Sequence, residues 1–248
     1  MSSIKLSKID TRAPKSFNKE KTKEKTLLML DKIAELQNVL FAEAKHSLLI
    51  IIQGMDASGK DGLIKDIFTC MNPLGLQMKS WKAPTNEELA HDFLWRIHQH
   101  VPAKGMIYIH NRSHYEDILI TRVHQWIDDK TALQRIQAIQ TFENLLSEHN
   151  NTTILKFYLH ISREEQLIRL KERIESLEKM WKYNENDFNE AKLWNSYMKQ
   201  YELAINACNQ PKWNVVPADQ NWYKNYLVAT KVLATMQSFK MKYPGLKK

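Results

Sequence analysis

The sequence has few of the residues that typify secreted, metal-stapled or multi-segment proteins. Its 248 residues include only two cysteines, and the wide separation of Cys70 from Cys208 matches neither a disulfide framework nor a zinc-binding spacing. Six glycines and seven prolines form no flexible linker. No apolar run is long enough to cross a bilayer, and no apolar stretch follows the charged N-terminus. These absences predict a cytoplasmic protein with no membrane partner and one main domain.

Positive charge is concentrated at the beginning of the chain. Residues 1–25 contain eight basic and three acidic residues, and so contribute +5 of the formal charge of +8. We therefore expect a basic N-terminal arm over residues 1–25, followed by a folded domain over residues 26–248. A solvated charged segment has this composition, and so does a segment that attracts nucleic acid or another polymer of phosphates. Charge alone does not separate the two.

Strand and helix patterns alternate along the rest of the chain. The continuous apolar run from Ser47 to Ile52 indicates a strand covered on both faces, as in a parallel sheet flanked by helices. The alternation predicts a doubly wound α/β fold. The expected strands are 47–52, 77–82, 105–110, 153–160 and 213–217, and the expected helices are 22–45, 85–99, 115–122, 131–149, 163–181, 188–208 and 221–238.

Residues 163–208 are richer in helix than a simple crossover connection requires. Two apolar stripes at helical spacing predict a helical hairpin that turns at residues 184–187, with both stripes packed in the core. The first stripe consists of Leu167, Leu170, Ile174, Leu177 and Trp181, and the second of Trp194, Tyr197, Tyr201, Ile205 and Cys208.

A phosphate-binding loop is predicted directly after the first strand. Residues 54–60 read Gly-Met-Asp-Ala-Ser-Gly-Lys, which is G-x-x-x-x-G-K between a strand and a helix. Such a loop points backbone N–H groups at a phosphate, and the helix N-terminus adds partial positive charge. The residues predicted to bind phosphate are Gly54, Ala57, Ser58, Gly59, Lys60, Asp61 and Gly62.

Two carboxylates in this loop indicate a divalent cation. Asp56 lies inside the loop, and Asp61 occupies the position where Ser or Thr normally offers its hydroxyl to Mg²⁺. Carboxylates beside a phosphate repel it unless a cation lies between them. We interpret Asp56 as a magnesium ligand or as an orienter of the acceptor phosphate, and a turn cap is the alternative. For Asp61 the alternative is a helix cap.

A second motif follows the strand at 105–110. It reads Asn-Arg-Ser-His-Tyr-Glu-Asp over residues 111–117. Ligands of open α/β sheets bind at the carboxyl ends of strands, and the guanidinium of Arg112 suits bidentate contact with a phosphate. A structural ion pair is the alternative for Arg112. The acidic pair Glu116 and Asp117 either contributes to the site or favourably charges the first turn of the next helix.

Together, these segments resemble the polyphosphate kinase type 2 family. The resemblance rests on Gln53–Gly62, Ala83-Pro-Thr, Glu87–Arg96, Asn111–Ile118, Glu165-Gln166, Trp181-Lys182, Trp194 and Val215–Asp219, in order over about residues 40–230. It implies a thymidylate-kinase-like, three-layer P-loop kinase fold with a parallel sheet and a helical lid at about 163–208. It also implies Mg²⁺-dependent, reversible transfer of the terminal phosphoryl group of polyphosphate to nucleotides, with Mn²⁺ as an alternative metal.

The resemblance also assigns residues. By position Asp56, Lys60 and Arg112 are catalytic. Asn111 stands where other subgroups carry Asp, so we take Asp117 as the second metal ligand and a further catalytic residue beside Asp56. This version of the motif is typical of the subgroup that accepts nucleoside mono- and diphosphates. The implied partners are polyphosphate, adenine or guanine nucleotides, and copies of the same chain in a dimer or tetramer.

Two groups of side chains complete the expected site. The acceptor nucleotide is expected to contact Lys82, Thr85, Glu88, Asp92, Arg96, Asn111, Arg112, Tyr115 and Glu116. Asp92 and Arg96 are four residues apart on one predicted helix, so mutual pairing is their alternative. An extended polyanion needs a basic track, for which the candidates are Lys65, Arg122, Arg169, Arg173 and Lys182. Acidic residues interleave with the lid arginines, so a solvated charged face is the alternative there.

Two other functions fit parts of the sequence. The residues taken without the resemblance are equally consistent with an ATP-dependent nucleoside monophosphate kinase. The basic N-terminus and the pI near 9.3 are consistent with a nucleotide-regulated protein that binds nucleic acid. No helix-turn-helix, RNA-binding aromatic signature or zinc spacing supports the latter, so we regard nucleic acid as an improbable partner.

Overall fold

The computed structural model of the protein describes residues 3–246. Five parallel strands form one sheet in the order β2-β3-β1-β4-β5. The strands are β1 (Ser47–Gly54), β2 (Leu76–Ser80), β3 (Ile107–Asn111), β4 (Thr152–His160) and β5 (Trp213–Pro217). All five lie within two residues of the predicted ends, so the expectation of a parallel α/β sheet is confirmed.

Eleven α-helices are present among the described residues. They are α1 (Lys19–Glu43), α2 (Lys60–Phe68), α3 (Asn86–Ala90), α4 (Trp95–His98), α5 (Glu116–Val123), α6 (Asp129–Asn150), α7 (Arg163–Glu175), α8 (Leu177–Met180), α9 (Glu185–Lys192), α10 (Trp194–Ala207) and α11 (Asn221–Ser238). Helices α1 and α2 contact α11, whereas α5 contacts α6 and α10. The two groups cover the two faces of the sheet, which gives the predicted three layers.

The central strand explains where the site lies. Every residue of β1 is buried, because β3 and β4 flank it and helices cover both of its faces. In the register of the sheet, Ile52 lies level with Asn111 of β3 and Phe157 of β4. The segments after β1, β3 and β4 therefore leave the sheet on one side, at the carboxyl ends of the strands, and the two sequence motifs meet there.

The predicted helix at 85–99 is wrong in its middle. The chain forms α3 and α4 separately, with His91 extended between them. Thr85 and Glu88 form a reciprocal capping box that begins α3. The Asp92 carboxylate then accepts a hydrogen bond from the Leu94 N–H at 2.9 Å. This hydrogen bond between the Asp92 side chain and the backbone interrupts the single helix that helical spacing alone had suggested.

The predicted helical hairpin at 163–208 is also wrong. The segment forms α7 to α10, and Ser176 is extended between α7 and α8. In the first stripe only Leu170 is buried, whereas Leu177 and Trp181 are 84% and 78% exposed. The second stripe packs in the core as predicted, because α10 lies against α5.

The basic N-terminal segment is attached to the domain rather than extended as an arm. Leu6 is buried, and the N–H of Ile4 donates to the Asn206 side chain at 2.7 Å. The predicted boundary at residue 25 falls inside α1, which begins at Lys19. The apolar residues interspersed among the lysines explain the difference, because Leu6 joins the core cluster and Ile9 packs against it. Residues 1 and 2 of the predicted arm lie outside the described residues.

No helix within residues 3–246 combines the length and the apolar character that a membrane crossing requires.

Candidate active site

The loop after β1 has the geometry of a phosphate cradle. Ala57 and Gly59 have positive φ angles of 60° and 88°, so the backbone curls before α2 begins at Lys60. The Lys60 ammonium donates to the carbonyl oxygens of Gly54 at 2.8 Å and Met55 at 3.1 Å. Burial, helped by the nearby charge of Arg112, lowers the pKa of Lys60 to about 8. Lys60 thus lies folded against the loop, where an incoming phosphate would be its strongest partner.

Two cations brace the loop from behind. Lys224 of α11 donates to the Gly59 carbonyl at 3.0 Å, and Arg169 of α7 donates to the Ala57 carbonyl at 3.3 Å. A Cβ on Gly59 would lie 2.6 Å from the Lys224 ammonium. The φ angle therefore favours glycine at this position, and any side chain there would also displace the Lys224 ammonium. Burial lowers the pKa of Lys224 to about 7, and Arg169 adds to the effect.

The second motif brings Arg112 to the loop. Arg112 follows β3 with a φ of 65°, an uncommon backbone conformation for a residue with a side chain. Its guanidinium lies 2.5 Å from the Asp56 carboxylate and 3.7 Å from that of Glu116. Burial acts to lower the pKa of Arg112, but Glu116 and Asp56 outweigh it and raise the pKa. The predicted meeting of Asp56, Lys60 and Arg112 is thus found in the structure.

Side chains of the lid close the pocket in front of Asp56 and Arg112. Tyr197 and Tyr201 of α10 and Glu190 of α9 line it together with the loop residues. The Glu190 carboxylate accepts from the Tyr197 hydroxyl at 2.6 Å and lies 3.0 Å from the His124 ring. Sequence reasoning placed the two tyrosines only on a core stripe, and it gave no signal for Glu190.

Gln166 also lines the pocket, and the sequence did not predict its contact with the phosphate loop. Its amide donates to the Asp56 carbonyl at 3.0 Å from the buried face of α7. Its carbonyl oxygen is buried and has no hydrogen-bond partner within residues 3–246. A ligand donor is one group that would satisfy it.

Arg96 lies at the centre of the residues predicted to contact the acceptor. It is buried, and its guanidinium donates to the Lys82 carbonyl at 3.0 Å and lies 3.4 Å from Glu88 and 3.8 Å from Asp117. Asp117 also faces Arg135 at 3.9 Å. Burial raises the pKa of Asp117 to about 6 against the opposing effect of the two arginines. Four of the residues predicted to contact the acceptor thus come together, namely Lys82, Thr85, Glu88 and Arg96, and Asp117, predicted as a metal ligand, joins them.

Two acceptor predictions fail in the structure. Asp92 accepts from the Leu94 N–H in the turn before α4 and lines a separate shallow hollow with Trp95 and His98, so it neither joins Arg96 nor pairs with it. Tyr115 is completely buried, and its hydroxyl donates to Glu143 at 2.9 Å. Its position beside Glu116 in sequence is misleading, because at the start of a helix neighbouring side chains point in different directions.

Four of the five side chains of the predicted basic track have other partners. Arg169 donates to the carbonyl oxygens of Ala218 and Asp219 as well as to the loop. Arg173 pairs with Asp187 inside the lid, and Arg122 pairs with Asp129. Lys182 reaches from the lid to Asp61 at 2.9 Å, while Lys65 is exposed on α2. Arg169 is therefore a brace of the loop in this state, and a continuous track on α7 is not formed.

The residues present fit a magnesium ion that is held mainly by its substrate. No cluster of three or more His, Cys, Asp or Glu side chains that could hold a metal occurs within the described part of the chain. Mg²⁺ commonly uses only one or two carboxylates plus substrate phosphates. Asp56 would serve as such a carboxylate ligand once it no longer pairs with Arg112. Beside the Asp61 carboxylate, the buried side-chain oxygen Oδ1 of Asn111 has no hydrogen-bond partner within residues 3–246. Asp117 contacts arginines and not the loop, so its metal role stays a prediction.

A buried ion pair between Lys156 and Glu143 lies between the second motif, residues 111–117, and the sheet. Lys156 of β4 is fully buried, and its ammonium lies 2.7 Å from Glu143 of α6 and 2.9 Å from the Tyr115 hydroxyl. His114 also lies 3.3 Å from Glu143. This network fixes residues 114 and 115, and so the start of α5, against the sheet. The only sequence signal was a lysine inside an otherwise apolar strand.

Residues 16–244 match the model of the polyphosphate kinase 2 family. The chain belongs to this family. An AMP/ADP-polyphosphate phosphotransferase of Meiothermus ruber is 44% identical over 215 residues, which cover 86% of this chain and 80% of the relative. An ADP-polyphosphate phosphotransferase of Rhodopseudomonas palustris is 38% identical over 92% of this chain and 83% of its own length.

The solved structures agree with this membership. The crystal structure of polyphosphate kinase 2 from Arthrobacter aurescens matches with a TM-score of 0.94 and 37% identity. The match covers all of this chain and 90% of that one. The resemblance noted from the sequence and the three-layer P-loop kinase fold are therefore both confirmed.

Proposed function

We propose that this polyphosphate kinase 2 family member transfers the terminal phosphoryl group of polyphosphate to AMP and ADP, reversibly and with Mg²⁺. The observation that carries the proposal is that Asp56 and Arg112 line one pocket, with Lys60 close enough for both charges to act on its pKa. Arg96 and Asp117, whose side chains lie 3.8 Å apart, come after the neighbouring strands β2 and β3 in the chain. The names of the Meiothermus ruber and Rhodopseudomonas palustris relatives support the donor and both acceptors.

The chain's own groups account for the requirements of phosphoryl transfer, which are positioning and charge neutralisation. The loop N–H groups and Lys60 hold the phosphoryl group being passed. A phosphate that enters competes with Asp56 for Arg112, so binding transfers Arg112 to the substrate and releases the carboxylate. A bound Mg²⁺ would neutralise charge on the phosphate oxygens. Tyr197, Tyr201 and Glu190 cover the pocket and limit the access of water, which would otherwise accept the phosphoryl group.

AMP and ADP require two positions of the nucleoside. AMP must present its α-phosphate where ADP presents its β-phosphate, so the nucleoside has to lie deeper with AMP. A fixed anchor at the point of transfer and a tolerant base pocket meet this need. We assign the anchor to Arg112, with Arg96 oriented by Asp117 on the acceptor side.

Supplying purified protein with polyphosphate, Mg²⁺ and AMP tests the acceptor assignment. ADP is expected first and ATP second, and Asp117→Asn is expected to slow both steps because Arg96 loses a charged partner. Asp92→Asn is the matched control, since Asp92 lies in a separate hollow, and it should leave both steps near the wild-type rate. Rapid conversion of ADP with AMP untouched would refute the dual-acceptor assignment.

We also propose that the protein acts in the cytoplasm as a dimer or tetramer. Two exposed apolar side chains near the open sheet edge at β2 support an association surface, namely Leu74 and Met78 at 72% and 58% exposure. Light scattering should give a multiple of the 29.3 kDa chain mass. A mass of one chain at micromolar concentration would contradict the oligomer.

A further inference from the structure

The N-terminal segment lies against the loop that follows β5. The Thr11 hydroxyl donates to the Asp219 carboxylate at 2.8 Å, and the Asp219 N–H donates to the Thr11 carbonyl at 3.0 Å. The Ala13 N–H donates to the Gln220 side chain at 2.9 Å. The Phe17 ring packs edge-on against Tyr223 of α11 with centroids 4.9 Å apart. Residues 11–17 are therefore held in a fixed place.

This place is connected directly to the phosphate loop. Arg169 donates to the Asp219 carbonyl at 2.8 Å and also to the Ala57 carbonyl. Lys224, in the first turn of α11, donates to Gly59. A single side chain thus separates the segment at residues 11–13 from the loop that would hold the transferred phosphoryl group.

The sheet order gives the direction of the donor chain. The acceptor-side residues follow β2 and β3, which lie on one side of β1. The Asp219 loop and the N-terminal segment follow or contact β5, which lies on the other side. The attacking and leaving oxygens are roughly in line in phosphoryl transfer. The leaving polyphosphate chain must therefore extend away from the acceptor, toward β5 and residues 11–15.

Arg12 and Lys15 present positive charge at this position. Both side chains are exposed, and neither has a hydrogen bond or ion pair within residues 3–246. The nearest anchored carboxylate, Asp219, is buried and already accepts from the Ser162 N–H and the Thr11 hydroxyl. The cations are thus free to meet a polyanion.

We infer that Arg12 and Lys15 form a distal subsite for the polyphosphate chain, beyond the phosphates held by the loop. The inference rests on the proposed function and adds a dependence on chain length. A short donor fills only the loop, whereas a long donor reaches Arg12 and Lys15 as well. The subsite holds the chain and takes no part in the transfer itself.

Steady-state kinetics with saturating ADP test this subsite. The donors are a short linear polyphosphate fraction and a long-chain fraction. Arg12→Gln combined with Lys15→Gln should raise KM for the long chain by about three- to tenfold, as expected for two exposed ion pairs, with kcat unchanged. KM for the short chain should not change. The slope of log KM against log salt for the long chain should fall by roughly 1.4–2, since two phosphate contacts are lost.

A matched double variant controls for net charge. Lys32→Gln with Lys104→Gln removes the same charge from exposed positions in the middle of α1 and in the loop that precedes β3. It should leave both KM values unchanged. Equal rises in KM for the two double variants would show a general charge effect and overturn the subsite.

Other outcomes separate this inference from the proposed function. If the wild type uses neither donor, the proposed function fails and the subsite fails with it. If the wild type uses both donors and the Arg12/Lys15 variant keeps the same long-to-short ratio of KM, only the subsite is refuted. Loss of single-stranded RNA binding in that variant, with KM for polyphosphate unchanged, would assign the segment to nucleic acid instead.

Discussion

Replacing Arg169 with alanine tests whether this side chain braces the phosphate loop or belongs to a surface track that binds polyphosphate. The side chain is 14% exposed and donates to the carbonyl oxygens of Ala57, Ala218 and Asp219, while its Nε pairs with Glu165 at 2.9 Å. It therefore links the loop after β1 to the loop after β5. A track residue would instead direct its guanidinium at the substrate.

The number of these contacts gives the size of the expected loss in the free energy of unfolding. A hydrogen bond contributes about 1 kcal/mol net, and more when one partner is charged, so losing three in Arg169→Ala should lower the free energy of unfolding by at least about 3 kcal/mol. For a chain of this size that loss lowers Tm by about 6–12 °C. Because the Ala57 carbonyl loses its anchor, kcat should fall together with kcat/KM for polyphosphate.

Circular dichroism melting and steady-state kinetics measure the two effects. Lys171→Ala, an exposed change on the same helix α7, is the control and should alter neither Tm nor kcat. If Arg169→Ala keeps the wild-type Tm and raises only KM for polyphosphate, the bracing role is refuted and the track role stands.

Three further changes test other parts of the site. Asp56→Asn preserves size and removes the charge, so the fold should persist while phosphoryl transfer falls by about a hundredfold; near-normal activity across Mg²⁺ concentrations would make Asp56 only a turn cap. Glu143→Gln leaves the buried Lys156 without a counter-charge and should cost about 3–5 kcal/mol in denaturant unfolding. The double change Glu143→Leu with Lys156→Met should recover much of that loss, and no recovery would contradict the ionic account. Finally, kcat/KM for polyphosphate should decline as the pH rises through about 8, because burial lowers the pKa of Lys60 to about 8 and only its ammonium attracts phosphate. A profile flat from pH 7 to 10 would show that Lys60 keeps its charge.

The sheet and the phosphate loop were predictable because their signals are local. A fully apolar run such as Ser47 to Ile52 has few alternatives to a buried strand, and G-x-x-x-x-G-K between a strand and a helix requires a particular backbone. The meeting of Asp56 and Arg112 followed from parallel topology, since the segments after β1 and β3 leave the sheet at one edge.

The lid and the acceptor helix were not predictable from periodicity. Helical spacing at Leu177 and Trp181 does not say whether another element covers them, and none does within the described residues. Asp92 was assigned to a helix face, but its carboxylate accepts from the Leu94 N–H in the turn between α3 and α4 instead. Glu190 and Lys224 reach the site from distant elements, and their positions depend on packing that no local pattern encodes.

The choice of phosphoryl donor tests the central claim most directly. ADP formation from AMP can be followed by phosphorus NMR with Mg²⁺ and either polyphosphate or ATP as the sole donor. The account predicts sustained ADP formation with polyphosphate, and loss of that reaction in Asp56→Asn. Rapid ADP formation from AMP with ATP, and none with polyphosphate, would contradict it and identify an ATP-dependent nucleoside monophosphate kinase.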